Sequence, residues 1–157
     1  MIDSLRQFFE GSLKPAFKGS DTHIAEHATR LATAALLVET ARSDFEFDMS
    51  ERDALDTILQ RVYGLTKRET EKLMKIAEAE VDASTSLDQF TRLLDRNLGF
   101  EQKYHVLELL WEVAFVDGRI DKYEEYLIRK IADLLHVSHS HFIRAKLTQA
   151  ERHKRHG

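Results

Sequence analysis

The sequence predicts an all-α fold, one domain of seven to eight helices built from two related helix-turn-helix units. Three observations predict it. Apolar residues recur at helical spacing along nearly the whole chain. One Pro and six Gly among 157 residues are too few turn-formers for a small all-β fold. A self-match at an offset of 73 residues relates the two halves without a gap.

The elements follow in order. Met1–Lys14 reads as a short amphipathic helix with Ile2, Leu5, Phe8 and Phe9 on one side, broken by Pro15 and Gly19. Its simplest use is docking on the domain, and its alternative use is peripheral contact with a membrane surface or partner. Ser20 or Asp21 caps a second helix, with Ile24, Ala28, Leu31, Ala35 and Val38 at helical spacing, to about Ser43. Asp44–Met49 is a turn. Ser50 caps a third helix with Leu55, Ile58, Leu59 and Val62 inward, ended by Gly64. Thr66 and Glu69 form a capping-box pattern for a fourth helix to about Glu80. After the polar linker Asp82–Ser86, a fifth helix carries Leu87, Phe90, Leu93 and Leu94 and stops near Asn97 and Gly99. The sixth, Glu101–Val116, is apolar on most sides and is expected to be the central buried helix. Asp117–Ile120 is a turn, Asp121–Leu135 a seventh helix, and Ser138 starts an eighth. The chain thus divides into a docking helix (1–19), a helical domain (20–150) and a basic tail (151–157), expected to be solvated and frayed.

Composition excludes several function classes. Net charge is −4, so no basic field covers the domain and nucleic acid is not an expected partner. With no cysteine there is no disulfide, thiolate catalysis or Cys-type zinc site. Met1–Lys18 contains Arg6 and Glu10 and lacks a small-residue cleavage site, and the apolar run Val106–Val116 contains Glu108 and Glu112 and is too short to span a bilayer. A soluble, cytoplasmic protein is expected. Neither a Ser-His-Asp constellation, a phosphate loop nor a dinucleotide fingerprint is present, so no catalytic or cofactor-binding residue is assigned.

At the offset of 73, Leu36 falls on Leu109, Leu37 on Leu110, Glu39 on Glu112, Ala41 on Ala114, Asp44 on Asp117, Asp48 on Asp121 and Glu51 on Glu124. Each unit leaves an apolar face that cannot be buried alone, so the two are expected to pack on each other about a pseudo-twofold. The matched turns are acidic: Asp44, Glu46, Asp48 and Glu51 in the first, Asp117, Asp121 and Glu124 in the second. The second spells the closing half of a calcium loop, Asp117-Gly118 with Ile120, Asp121 and Glu124. Its opening ligand positions are Val113 and Phe115, and those of the first turn are Thr40 and Arg42, so neither turn is an EF-hand. Hard cations take several oxygen ligands, and Asp44, Asp48, Glu51, Asp117, Asp121 and Glu124 could together supply them to Ca²⁺ or Mg²⁺. The competing reading is structural: acids that precede or open a helix cap it and complement its dipole. Glu39 and Glu112 lie within apolar helix segments, where a buried carboxylate needs a partner. They are expected to face each other, to meet Arg30 or Arg42, or to sit at a solvent edge.

These turns, with their approaches LLVETA and LLWEVAFV, the linker Ser86-Leu-Asp-Gln-Phe90 and the run Tyr126–Leu135, resemble the TerB-like (tellurite-resistance) family over roughly His23–Leu147. The resemblance implies an all-helical fold shared with the amino-terminal part of some membrane-linked J-domain co-chaperones. It implies a role in tellurite, envelope or metal stress as an interaction or metal-sensing module and not as an enzyme. The family's acidic positions carry over onto Asp44, Asp48, Glu51, Asp117, Asp121 and Glu124. Phe45 stands where a small residue is usual, which makes the first turn the weaker ligand.

Two rival constellations remain. His23-Ile-Ala-Glu26-His27 spells HxxEH, the pattern of a metal-dependent hydrolase with Glu26 as general base. His136, His139 and His141 gather around the last turn, as capping residues or as a surface zinc site. The leading expectation is a non-enzymatic module that binds a protein partner and a divalent cation. A homodimer is compatible with it, and an ion-independent structural adaptor is the bland alternative.

Overall fold

The computed structural model describes residues 21–42, 49–116 and 120–156, and among these all regular structure is helical. Seven helices follow in order: α1 (Asp21–Ala41), α2 (Met49–Tyr63), α3 (Lys67–Ala83), α4 (Asp88–Asn97), α5 (Phe100–Ala114), α6 (Lys122–Leu134) and α7 (His139–His156). The helix expected over Met1–Lys14 lies outside the described residues.

The hub is α1, and not the later helix that apolarity singled out. It packs against α2, α3, α4, α5 and α6, whereas α5 packs against α1, α2, α6 and α7. Every residue from Leu31 to Val38 is buried. Ala28, Ala32, Ala34, Ala35 and Ala41 give α1 small buried side chains beside its leucines, whereas α5 buries larger ones such as Trp111. The hydroxyls that α1 buries are satisfied within it: Thr33 Oγ1 donates to the Thr29 carbonyl (2.8 Å) and Thr40 Oγ1 to the Leu36 carbonyl (2.9 Å).

The duplication is legible in the packing, and it extends to a third helix. In each half the third helix folds back on the first, α3 on α1 and α7 on α5. The first helices pack on each other, α6 touches α1, and α2 touches α5. That reciprocal exchange is the signature of two units related by a twofold. Positions matched by the offset share their environment: Leu36 and Leu109, Leu37 and Leu110, Leu55 and Ile128, and Ile58 and Ile131 are all buried. After the second helix the correspondence shifts by one residue, from an offset of 73 to one of 72. From there Gly64 corresponds to His136. Both adopt the left-handed conformation, with φ of 63° and 62°, as the residue after a helix terminus commonly does. The next residues, Leu65 and Val137, both pack against the core.

Helix starts follow their caps. Thr66 accepts from the Glu69 amide (3.1 Å), and the Glu69 carboxylate accepts from the Thr66 amide (2.9 Å). In each half an ion pair ties the second helix to the third, with its polarity reversed: Arg52 to Glu78, and Glu125 to Lys146 at 2.5 Å. Between the halves, α4 packs on α1 and on α6, burying Phe90, Thr91 and Leu94. Asp95 at its far end meets Lys103 Nζ of α5 (2.6 Å) and His136 Nδ1 (3.1 Å). Residues 151–156, expected to fray, continue α7 to His156.

Candidate functional site

Of the six acids singled out by the repeat, Asp44, Asp48 and Asp117 lie outside the described residues, and Glu51, Asp121 and Glu124 lie within them. Asp121 is the N-cap of α6. Its φ of −71° and ψ of 146° are extended, and its carboxylate accepts from the Tyr123 amide at 2.8 Å. Glu124 reaches back to the Asp121 amide at 3.4 Å, which closes a capping box by a long bond. The structural reading of the second turn is therefore realised in part.

Burial is what capping alone does not require. Capping carboxylates ordinarily lie at the solvent edge of the first turn. Glu124 is only 6% exposed and Glu51, its repeat counterpart in the first turn of α2, only 4%. A carboxylate that deep costs free energy unless it is compensated. Two such groups stand at equivalent positions, each just after an acidic turn. The carboxylate class also suits a hard cation, which takes oxygen ligands from Asp and Glu. Among the described residues no three His, Asp or Glu side chains gather as a metal site needs. Half of the acids at issue are outside that set.

The pattern of two matched halves, each with its acidic approach to a buried glutamate, points to one family of helical proteins. The family model described as tellurite resistance protein TerB matches residues 30–147. The chain belongs to the TerB family. No curated protein and no solved structure matches it.

The TerB match begins within α1 and ends within α7, so it takes in both halves and both acidic turns. Other residues that the sequence singled out are placed as follows. Glu112 makes a two-pronged ion pair with Arg61 of the opposite half (3.0 and 2.7 Å), and this contact holds the Arg61 guanidinium above its usual pKa. Its expected partners are engaged elsewhere. Arg42 meets Asp82 at 2.9 Å, and Arg30 lies 5.1 Å from the centre of the Tyr63 ring. Glu39 borders a cleft with Leu127 and Lys130 of α6, the reciprocal placement. Sequence spacing could not find Arg61, which becomes Glu112's partner only through the crossing of the halves.

In the HxxEH segment, Glu26 is exposed while His27 is fully buried. The proposed base and ligand thus face different surroundings, and the His23 side chain lies outside the described residues. The three late histidines do not converge. His136 meets Asp95, His141 Nδ1 meets Ser138 Oγ at 2.6 Å, and the His139 ring lies beside Phe142 with centres 5.6 Å apart. No described helix is long and apolar enough to cross a membrane.

Proposed function

We propose that this TerB chain is a non-catalytic module of the tellurite and metal stress response. It binds a divalent cation, Ca²⁺ or Mg²⁺, at its acidic turns and thereby presents them to a protein partner. The observation that carries the reading is the deep and similar burial of Glu51 and Glu124 at repeat-related positions. Asp44, Asp48, Asp117 and Asp121 supply the remaining oxygens. A cation at an acidic turn would add to the contacts these carboxylates already make and would order the turn around it.

Melting the protein in increasing Ca²⁺ or Mg²⁺ tests this. A hundredfold excess over Kd stabilises the fold by about 2.7 kcal/mol. Glu124→Gln retains a side chain suited to the capping box, so it should still fold, and it should lose the cation-dependent gain over its own cation-free melt. Parent and variant that show the same gain, or none, at every cation concentration would remove the ion from the proposal. The second reading, an adaptor that needs no ion, draws on the capping contacts that Asp121 and Glu124 already make within α6. It predicts partner capture unchanged by chelator.

A further inference from the structure

Under the pseudo-twofold, every described helix but one has a counterpart. The exception is α4, which precedes α5 and lies on α1 and α6. Its counterpart would precede α1 and lie on α5 and α2. Residues 1–20 occupy that place in the chain, and they contain Ser4-Leu5-Arg6-Gln7-Phe8. The segment leading into α4 is Ser86-Leu87-Asp88-Gln89-Phe90, identical at every position but one.

The matched residues have defined work in α4. Ser86 Oγ accepts from the Asp88 amide (3.3 Å), Gln89 donates to Ser84 Oγ (3.1 Å), and Phe90 is completely buried. Beside Phe90 is a cleft of about 270 Å³ bordered by Glu39, Leu127 and Lys130. Glu39 corresponds to Glu112, and Glu112 borders a cleft of about 430 Å³ with Arg61 of α2 and Gln149 of α7. This larger cleft shares His105 and Leu109 with a third, of about 400 Å³, which runs on to Leu98 and to Glu26 and Arg30 of α1. The described residues therefore leave a trough along α5 where its pseudo-symmetric mate α1 carries α4.

We propose that residues 2–14 are the missing counterpart of α4 and dock in this trough, with Phe8 seated between α5 and α2 as Phe90 is seated between α1 and α6. The lengths agree. Thirteen helical residues span about 20 Å, and the trough follows α5 for roughly 25 Å at 1.5 Å per residue. Residues 15–20 can bridge up to about 20 Å, and they lead into α1, whose residues Glu26 and Arg30 line the same trough. On such a helix Ile2, Leu5, Phe8 and Phe9 share one face and Glu10 points away. The docking is shallower than that of α4, because His105 and Glu108 stand where α1 has the buried Ala32 and Ala35. The proposal is independent of ion binding at the acidic turns.

The chain has no cysteine, so Glu10→Cys provides a single attachment point for a nitroxide spin label. In the labelled full-length protein, amide signals of Arg61, Glu108 and Glu112 should lose most of their intensity while those of α4 keep theirs. Adding Phe8→Ala should restore the lost signals. Attenuation centred elsewhere, or unaffected by Phe8→Ala, overturns the proposal. So does attenuation that appears only when labelled and isotope-enriched chains are mixed, since the occupant would then be a second copy.

Discussion

Gly64 and His136 end the second helix of each half in the same backbone conformation, and exchanging their chemistry should give opposite results. A Cβ added at Gly64 would meet nothing within 4 Å, so Gly64→Ala carries no steric cost beyond the backbone itself. The left-handed conformation costs an L-residue roughly 1–2 kcal/mol. Alanine recovers about 0.4–1 kcal/mol by restricting the unfolded chain. The net loss is on the order of 0.5–1 kcal/mol, a fall in Tm of about 1–4 °C for a domain of this length. His136→Gly runs the same terms in reverse, but it also removes the contact with Asp95. In an Asp95→Asn background that contact is already weakened, and His136→Gly should raise Tm by the mirror amount. Thermal melts followed by far-ultraviolet circular dichroism measure both. If Gly64→Ala leaves Tm unchanged while His136→Gly lowers it in both backgrounds, the two residues are not equivalent helix terminators, and the one-residue shift in the repeat is wrong.

Further outcomes follow from the same contacts. Ile58→Ala and Ile131→Ala remove counterpart side chains that are 2% and 0% exposed, and each should cost about 2–4 kcal/mol in urea melts. Arg61→Ala should cost less than about 1 kcal/mol, since the Arg61 side chain is 54% exposed and solvent screens the pair, and the loss should shrink in high salt. Burial pushes the Tyr63 phenol above its ordinary pKa, against smaller opposing effects of Thr33 and Arg30. A raised value means stability that is complete below the unfolded pKa of about 10 and is lost as pH rises through the folded one. Melts of Tyr63→Phe should lack this alkaline loss. The hydrogen bond from Lys103, followed by that from His136, holds Asp95 below the usual carboxylate range. Its contribution is present above the ordinary aspartate pKa and is lost as pH falls through the depressed one, so Asp95→Asn should flatten the acid limb of the stability profile.

Local rules carried most of the fold. The helix boundaries at Thr66, Asp121 and Gly64 were legible because capping and left-handed residues leave a chemical mark at a fixed offset. The repeat was legible because buried positions such as Leu55 and Ile128 tolerate few side chains. The hub was misread since centrality depends on how closely neighbours approach, and the alanines of α1 register weakly on any apolar count. The third helix pair escaped notice because its correspondence shifts by one residue, so that at the offset of 73 the buried Leu73 falls on Lys146 instead of the buried Ala145. In the candidate site, the acids could be named from their spacing. The burial of Glu51 and Glu124 could not, because it is set by helices distant in sequence. The same holds for Arg61, whose meeting with Glu112 spans 51 residues.

The reversed ion pairs between second and third helices bear on how the chain avoids assembling its halves incorrectly. Two similar units on one polypeptide invite exchange of equivalent helices during folding. Were α2 to settle on α7, Arg52 would confront Lys146. Were α6 to settle on α3, Glu125 would confront Glu78. Each crossed arrangement places like charges where the correct one places opposites. The chain thus keeps nearly interchangeable cores while giving each half its own electrical key.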